Sequence, residues 1–342
     1  MSSMRQAVIR APDRFEVQVA PRPALQHPGE VLVRTLACGI CSGDLMPWYL
    51  AKKVGTVLGH EPVGRVVAVG PEVEHLRVGD LAFVHHHAPC LACPECLRGA
   101  AVHCSTWKRS SLDPGGMAEF IRVPAEIVRA DAFAVPELAP EQALFIEPLG
   151  CCVKAFERVG GRRTVAGTRV IVVGCGVMGL LNLQVARAYG ASEVIAVEPD
   201  PIRLEWASHL GALTCTPEEA AKRYARQADL VVIGPGFPPV IRQALDFVRN
   251  AGTACLFTPT ATGITTELDL GDLYFREVSL IPSYSCGPSD TLEAARLLRT
   301  QAVVGPISHR FPLDEVQQAF DTARSGGAAV KVIVTFPEEP IG

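Results

Sequence analysis

Cys90, Cys93, Cys96 and Cys104 lie in the fragment HHHAPCLACPECLRGAAVHC with the spacing C-x2-C-x2-C-x7-C. Soft thiolates at this spacing can converge on a tetrahedral metal, and zinc is the usual occupant of a four-sulfur shell. Pro89, Pro94 and Gly99 mark the segment as loop, which argues against four ordinary core cysteines. Four sulfurs leave a metal no open position. This zinc is therefore expected to hold a lobe of about 88–106 together and to perform no chemistry.

A second stretch with chemical meaning begins at the apolar run Arg169–Val173. It leads into Gly174-Cys175-Gly176-Val177-Met178-Gly179 and then into a helical pattern. In this G-x-G-x-x-G context, Gly174 permits the tight turn and Gly176 lets the backbone approach a pyrophosphate. Gly179 allows close helix–strand packing, and the helix N-terminus offers free N–H groups to phosphate. Glu198, at the end of the next strand, stands where a carboxylate reaches the adenosine ribose hydroxyls. A carboxylate there disfavours a 2′-phosphate, so NAD is the expected cofactor. Arg203, which could contact the ribose or a phosphate, could soften that preference.

The elements that must position these residues change character along the 342-residue chain. Residues 1 to about 150 are rich in Gly, Pro and short β-like runs such as EVLVRTLA, VGRVVAV and AEFIRVP, without a long amphipathic helix. From about 168, strands alternate with helices. The strands are expected at Arg169–Val173, Val194–Val197, Leu230–Ile233, Thr253–Phe257 and Val278–Ile281, which implies a parallel sheet covered on both faces. Between the first two strands, Val177, Leu180, Leu181, Val185 and Ala188 fall on one helical face. Asp200 and Pro201 read as the cap and first turn of the next helix. After about 286 come TLEAARLLRT, DEVQQAFDTAR and the strand AVKVIVTF. A net charge of −4 without basic runs predicts no nucleic-acid partner, and the most apolar stretch, around 170–186, carries polar residues and glycines that exclude a membrane span. Twelve cysteines and no secretory leader point to metal binding in a reducing, cytoplasmic setting.

Upstream stand Cys38-Gly39-Ile40-Cys41-Ser42-Gly43-Asp44 and Gly59-His60-Glu61-Pro62-Val63-Gly64 with Gly70; Glu147-Pro148-Leu149 follows further on. With GGMAEF, GCGVMG and SHRFPLDEVQQAF in the same order, the chain resembles the zinc-dependent medium-chain dehydrogenases of the alcohol, sorbitol and threonine type. The resemblance covers essentially the whole chain. It implies an α/β protein: a GroES-like, mostly β catalytic domain plus an inserted Rossmann domain with a doubly wound parallel sheet. The expected ranges are 1–150, 151–286 and a return to the catalytic domain over 287–342. It also implies two zincs per chain and a homodimer or homotetramer. Cys41 and His60 match catalytic zinc ligands. Glu61 matches a residue that is a ligand in some members and lies behind the ligands in others. Glu147 replaces a further ligand cysteine, as in the polyol-type enzymes. Asp44 matches the carboxylate that orients the ligand histidine.

Two departures bear on mechanism. The hydroxyl and histidine that usually pass the substrate proton outward are replaced by Gly43 and Met46, so Glu147, Glu61 or Tyr49 with water would have to serve. Gly234-Pro235-Gly236-Phe237 replaces a more polar segment near the cofactor. A further metal on His85-His86-His87 is disfavoured, because adjacent strand residues face opposite sides. The expected activity is hydride transfer between NAD(H) and a secondary alcohol or ketone, with a polyol, sugar-derived or amino alcohol as substrate. The alternatives are a biosynthetic ketone or aldehyde reductase and a catalytically silent dinucleotide-binding protein.

Overall fold

The computed structural model describes residues 2–338; Met1 and residues 339–342, which the expected terminal segments include, lie outside the described residues. The chain divides into two compact units. One comprises Met1–Pro148, Cys286–Arg299 and Gly305–Gly342; the other comprises Leu149–Ser285 and Thr300–Val304. Residues 300–304, in the stretch expected to return to the first unit, group with the second. The Gln184 side chain accepts from Val304 N at 2.9 Å and donates to Val304 O at 3.0 Å.

The first unit opens with an antiparallel hairpin, β1 (Ser3–Ala11) and β2 (Arg14–Pro21). Its main sheet is built from β3 (Val31–Gly39), β4 (Glu61–Val69), β5 (Leu81–Val84), β6 (Phe120–Val123) and β7 (Ala132–Ala134). Three pairings organise it: β3 with β4, β4 with β5 and β5 with β7, all antiparallel, while β6 pairs with β3. Two packed groups cover the sheet, one including Val31, Val66, Val84, Ile121 and Ile127, the other Ile9, Ile40, Leu50, Met117 and Phe320.

The second unit carries β8 (Arg169–Val173), β9 (Glu193–Val197), β10 (Leu213–Cys215), β11 (Ala228–Ile233), β12 (Val248–Leu256) and β13 (Ser279–Pro282). Their order is β10-β9-β8-β11-β12-β13, all parallel. This is the doubly wound order of a dinucleotide-binding sheet, with its switch point between β8 and β11. Asp200 caps the helix Pro201–His209 by accepting from Ile202 N and Arg203 N. The helix Val177–Ala188 is buried from Gly179 to Ala186, not along one stripe. Its Asn182 and Gln184 are accommodated because their amides donate to Met178 O and Leu180 O within the helix.

The chain then supplies β14 (His309–Pro312) and β15 (Val332–Thr335) to the first unit. They pair in parallel, and β15 lies antiparallel to β3. No helix among the described residues is long and apolar enough to cross a membrane.

Candidate metal and dinucleotide sites

Sheet register builds the Cys41 site. Gly39 at the end of β3 pairs with Glu61 at the start of β4 on one side and with Ile333 of β15 on the other. Cys41, His60, Glu61 and Lys331 therefore meet at one end of the sheet. Gly39 is required there: a Cβ would overlap the Glu61 carboxylate and come 2.7 Å from Lys331 Cε. Ligand atoms of Cys41, His60 and Glu61 lie within 4.8 Å of one another. His60 Nδ1 is 3.3 Å from Asp44 Oδ2, with Asp44 fully buried. Burial alone would depress His60, but Asp44 and Cys41 outweigh it and hold the imidazole well above its usual range.

Lys331 was not singled out in the sequence, because it sits in the apolar run AVKVIVTF. It is buried, pairs with Glu61 and donates to Ile40 O at 3.2 Å. A lone lysine at the edge of a buried apolar run was the available signal, since such a charge needs a partner. Glu61 Oε1 is buried without a hydrogen-bond partner. An orphaned anionic oxygen beside a thiol and an imidazole forms a donor set that fits a zinc ion.

Glu147 falls in the first turn of the helix Ile146–Arg158 and is buried. Its carboxylate groups with His85 and Cys286, not with Cys41 and His60. Burial pushes its carboxyl above the usual range; His60 pulls it back and Glu61 adds to the rise. The three consecutive histidines lie just past the end of β5, not in a strand, and neighbouring rings sit 4.8 and 4.4 Å apart between centroids. His85 binds Asp131, His86 packs against His60 at 4.9 Å between ring centroids, and His87 contacts the Ser110 carbonyl.

The four cysteines of the lobe come together with their sulfurs 3.5 Å apart for Cys93–Cys96 and 4.0 Å for Cys90–Cys96. Tetrahedral Zn–S bonds of about 2.3 Å put sulfurs about 3.8 Å apart. Val102, Cys104 and Trp107 form a small core beneath them. Burial would raise Cys104, but N–H groups of Cys90, Trp107 and Thr106 outweigh it and bring the thiol down to about 6. It is thus close to the thiolate that a metal needs.

In the second unit Gly174 follows β8 with φ +88°, a conformation that favours glycine. A Cβ on Gly176 would meet nothing within 4 Å, which leaves a side-chain-free approach at the helix N-terminus. A Cβ on Gly179 would collide with Gly174 O. Val177 and Met178 begin the helix. Glu198 is buried and accepts from Cys175 N at 2.7 Å and Asp200 N at 3.1 Å, so it also braces the glycine loop. A carboxylate has about four lone-pair positions, so both ribose hydroxyls can still be accommodated. Arg203 keeps a buried Nε without a partner. The arrangement fits a nicotinamide dinucleotide.

Zinc-ligand geometry on a GroES-like unit and a parallel dinucleotide sheet together define a metal-dependent dehydrogenase. Residues 27–137 match the alcohol dehydrogenase GroES-like domain, and residues 177–300 match the zinc-binding dehydrogenase domain. The chain is 35% identical to the L-threonine 3-dehydrogenase of Pyrococcus abyssi over 91% of each chain. It is 30% identical to the D-altritol 5-dehydrogenase of Agrobacterium fabrum, covering 93% of this chain and 94% of that one. A zinc-binding dehydrogenase from Sinorhizobium meliloti bound to NADP has the same fold. Its TM-score is 0.86 at 28% identity, over 98% of this chain and all of that one. The chain belongs to the zinc-dependent medium-chain dehydrogenases. It is an oxidoreductase of that family, using zinc and a nicotinamide dinucleotide on a small-molecule alcohol or ketone.

Proposed function

We propose that this enzyme interconverts a secondary alcohol and its ketone with NAD(H), acting on a polyol, a sugar-derived alcohol or an amino alcohol. The observation that carries the reading is the joint presence of Cys41, His60 and Glu61 within ligand distance and a buried Glu147 in an EPL segment. The relatives named for altritol and threonine oxidation support the substrate class. Cys41, His60 and Glu61 would hold the catalytic zinc and Cys90, Cys93, Cys96 and Cys104 the structural one.

When bound, the catalytic zinc supplies Lewis acidity that eases loss of the alcohol proton. The chain's own residues do the rest. Asp44 holds the orientation of His60. Lys331 balances the charge of Glu61 and fixes one of its oxygens, leaving the other turned to the donor set. Gly43 offers no hydroxyl to receive a proton, so water and a nearby carboxylate, Glu147 first, take that part. Gly174, Gly176 and Gly179 admit the pyrophosphate. Glu198 receives the adenosine ribose, which favours NAD over NADP.

A homodimer or homotetramer is part of the proposal. Leu270, Tyr274 and Phe275 are each more than 70% exposed and lie just before the edge strand β13, a surface suited to self-association. A cytoplasmic location is proposed from the abundance of free cysteines. NAD reduction across a panel of polyols, sugars and amino alcohols tests the reading. Turnover of at least one member, lost on zinc removal, is expected; inactivity across the panel with both zincs bound would overturn it.

A further inference from the structure

His85, Asp131 and Thr291 are buried polar residues of the first unit with no part in either zinc site or in the dinucleotide loop. They arrive from separate places. His85 directly follows β5, Asp131 ends the helix Ala125–Asp131, and Thr291 lies in the first turn of the helix Pro288–Arg299. His85 Nδ1 donates to Asp131 Oδ2 at 2.7 Å, and the Thr291 hydroxyl donates to Asp131 Oδ1 at 2.6 Å. Both carboxylate oxygens are thereby engaged, and the imidazole is fixed with its Nε2 edge turned away from Asp131.

That edge faces Glu147. Cys286, just before the same helix, has its Sγ 3.7 Å from His85 Nε2 and donates to the Glu147 carbonyl at 3.7 Å. A ring nitrogen of His85 and a carboxylate oxygen of Glu147 lie within 4.8 Å of each other. Burial would lower His85; Asp131 outweighs it, and Glu147 adds to the rise. A continuous polar line therefore runs Thr291–Asp131–His85–Cys286–Glu147. Buried polar groups are costly unless they are satisfied, and a satisfied network rigidifies what it touches. This one ends on the carboxylate that stands in for the hydroxyl lost at Gly43.

We propose that His85, held by Asp131 and Thr291 and linked through Cys286, is a positioning residue that sets the Glu147 carboxylate for its part in substrate proton transfer. The proposal rests on the alcohol dehydrogenase reading and names the residues that make Glu147 effective in it. A glutamate side chain is free to change rotamer; a fixed imidazole beside its carboxylate and a thiol on its main-chain carbonyl restrict it. A general base works only within hydrogen-bond reach of the proton it takes, and a misplacement of about 1 Å can cost ~10²-fold. The line therefore acts on kcat and not on substrate binding.

Steady-state kinetics of alcohol oxidation, with zinc content measured for every variant, test the line. His85→Leu should lower kcat about ten-fold or more, with KM little changed and both zincs retained. Thr291→Val, which removes only the hydroxyl, should lower kcat by a smaller factor, and Thr291→Ser should restore it; this pair carries the test where His85→Leu does not fold. A double-mutant cycle separates positioning from packing. In a Glu147→Gln background, His85→Leu and Thr291→Val should cost no further kcat, because the group they position is already gone. A loss there equal to the loss in the parent overturns the proposal, since it would show both residues acting without Glu147. Parent-like kcat in both His85→Leu and Thr291→Val also overturns it and leaves the dehydrogenase reading intact. A zinc-loaded parent that oxidises no alcohol overturns that reading and the proposal with it.

Discussion

The four-cysteine lobe and the Cys41 site are two candidate zinc centres made in opposite ways. The lobe draws every donor from one loop, with sulfurs already 3.5 and 4.0 Å apart and its own small core of Val102, Cys104 and Trp107. Its donors are uniform and its shell is closed. The Cys41 site takes donors from the ends of different strands, and its geometry exists only because β3, β4 and β15 pair in one register. Its donors are mixed, and it is surrounded by buried charge: Asp44, Glu61 and Lys331. A closed local site can stabilise folding but not bind substrate. An assembled site keeps a position open, at the cost of buried carboxylate oxygens that need a cation.

The largest expected effect separates these roles. Cys41→Ser should lower kcat/KM by on the order of 10³-fold or more, since a Lewis acid supplies several kcal/mol of transition-state stabilisation. Its unfolding temperature should stay near that of the parent. Cys93→Ser should do the reverse, with lower stability or insoluble protein, because a structural zinc contributes directly to folding. Calorimetry and steady-state rates on the pair check this; normal activity in Cys41→Ser breaks the contrast.

A smaller effect concerns the carboxylates. General-base assistance contributes ~10²–10⁴-fold, so Glu147→Ala should cost at least ten-fold in kcat. An unchanged kcat would remove Glu147 from proton transfer. Asp44→Asn should weaken the catalytic zinc roughly 10–100-fold while leaving the lobe zinc in place, which a chelator titration followed by metal analysis can resolve.

Register can be probed through Gly39. Gly39→Ala places a methyl where Glu61 and Lys331 meet, and overpacking of this kind costs about 1–3 kcal/mol. Activity should fall and the unfolding temperature drop, with the lobe zinc retained. Full activity in Gly39→Ala would show that the Glu61–Lys331 pair does not shape the site.

The smallest effect is on cofactor choice. NAD should give the higher kcat/KM, and Glu198→Ala should narrow the ratio to NADP. Because Glu198 also accepts from Cys175 N, the same variant should raise KM for both cofactors. A parent enzyme that prefers NADP would assign the adenosine site to Arg203.

Much of this was legible before the structure. Strand Arg169–Val173 is found with those bounds, Asp200 caps as its type and position indicate, and the glycine loop lies at the switch point of the sheet. These features are local: turn chemistry, capping and apolar runs act over a few residues. Lys331 was hidden because an apolar run gives no sign of which ion a lone charge at its edge will face. Glu147 was read beside Cys41 from the resemblance; that its carboxylate also lies near His85 and Cys286 depends on where a helix start and two distant segments meet.

The sequence by itself determined the family, the lobe and the dinucleotide loop, since spacing within a short segment limits which atoms can converge. The tertiary structure decided which charges share a buried space. It set Gly39 between Glu61 and Lys331, and it joined Asp131, His85 and Thr291 into one hydrogen-bonded line. The physical reason is that ion pairing and ligation act over a few ångströms in space, whatever the separation along the chain, and only the folded register fixes that distance.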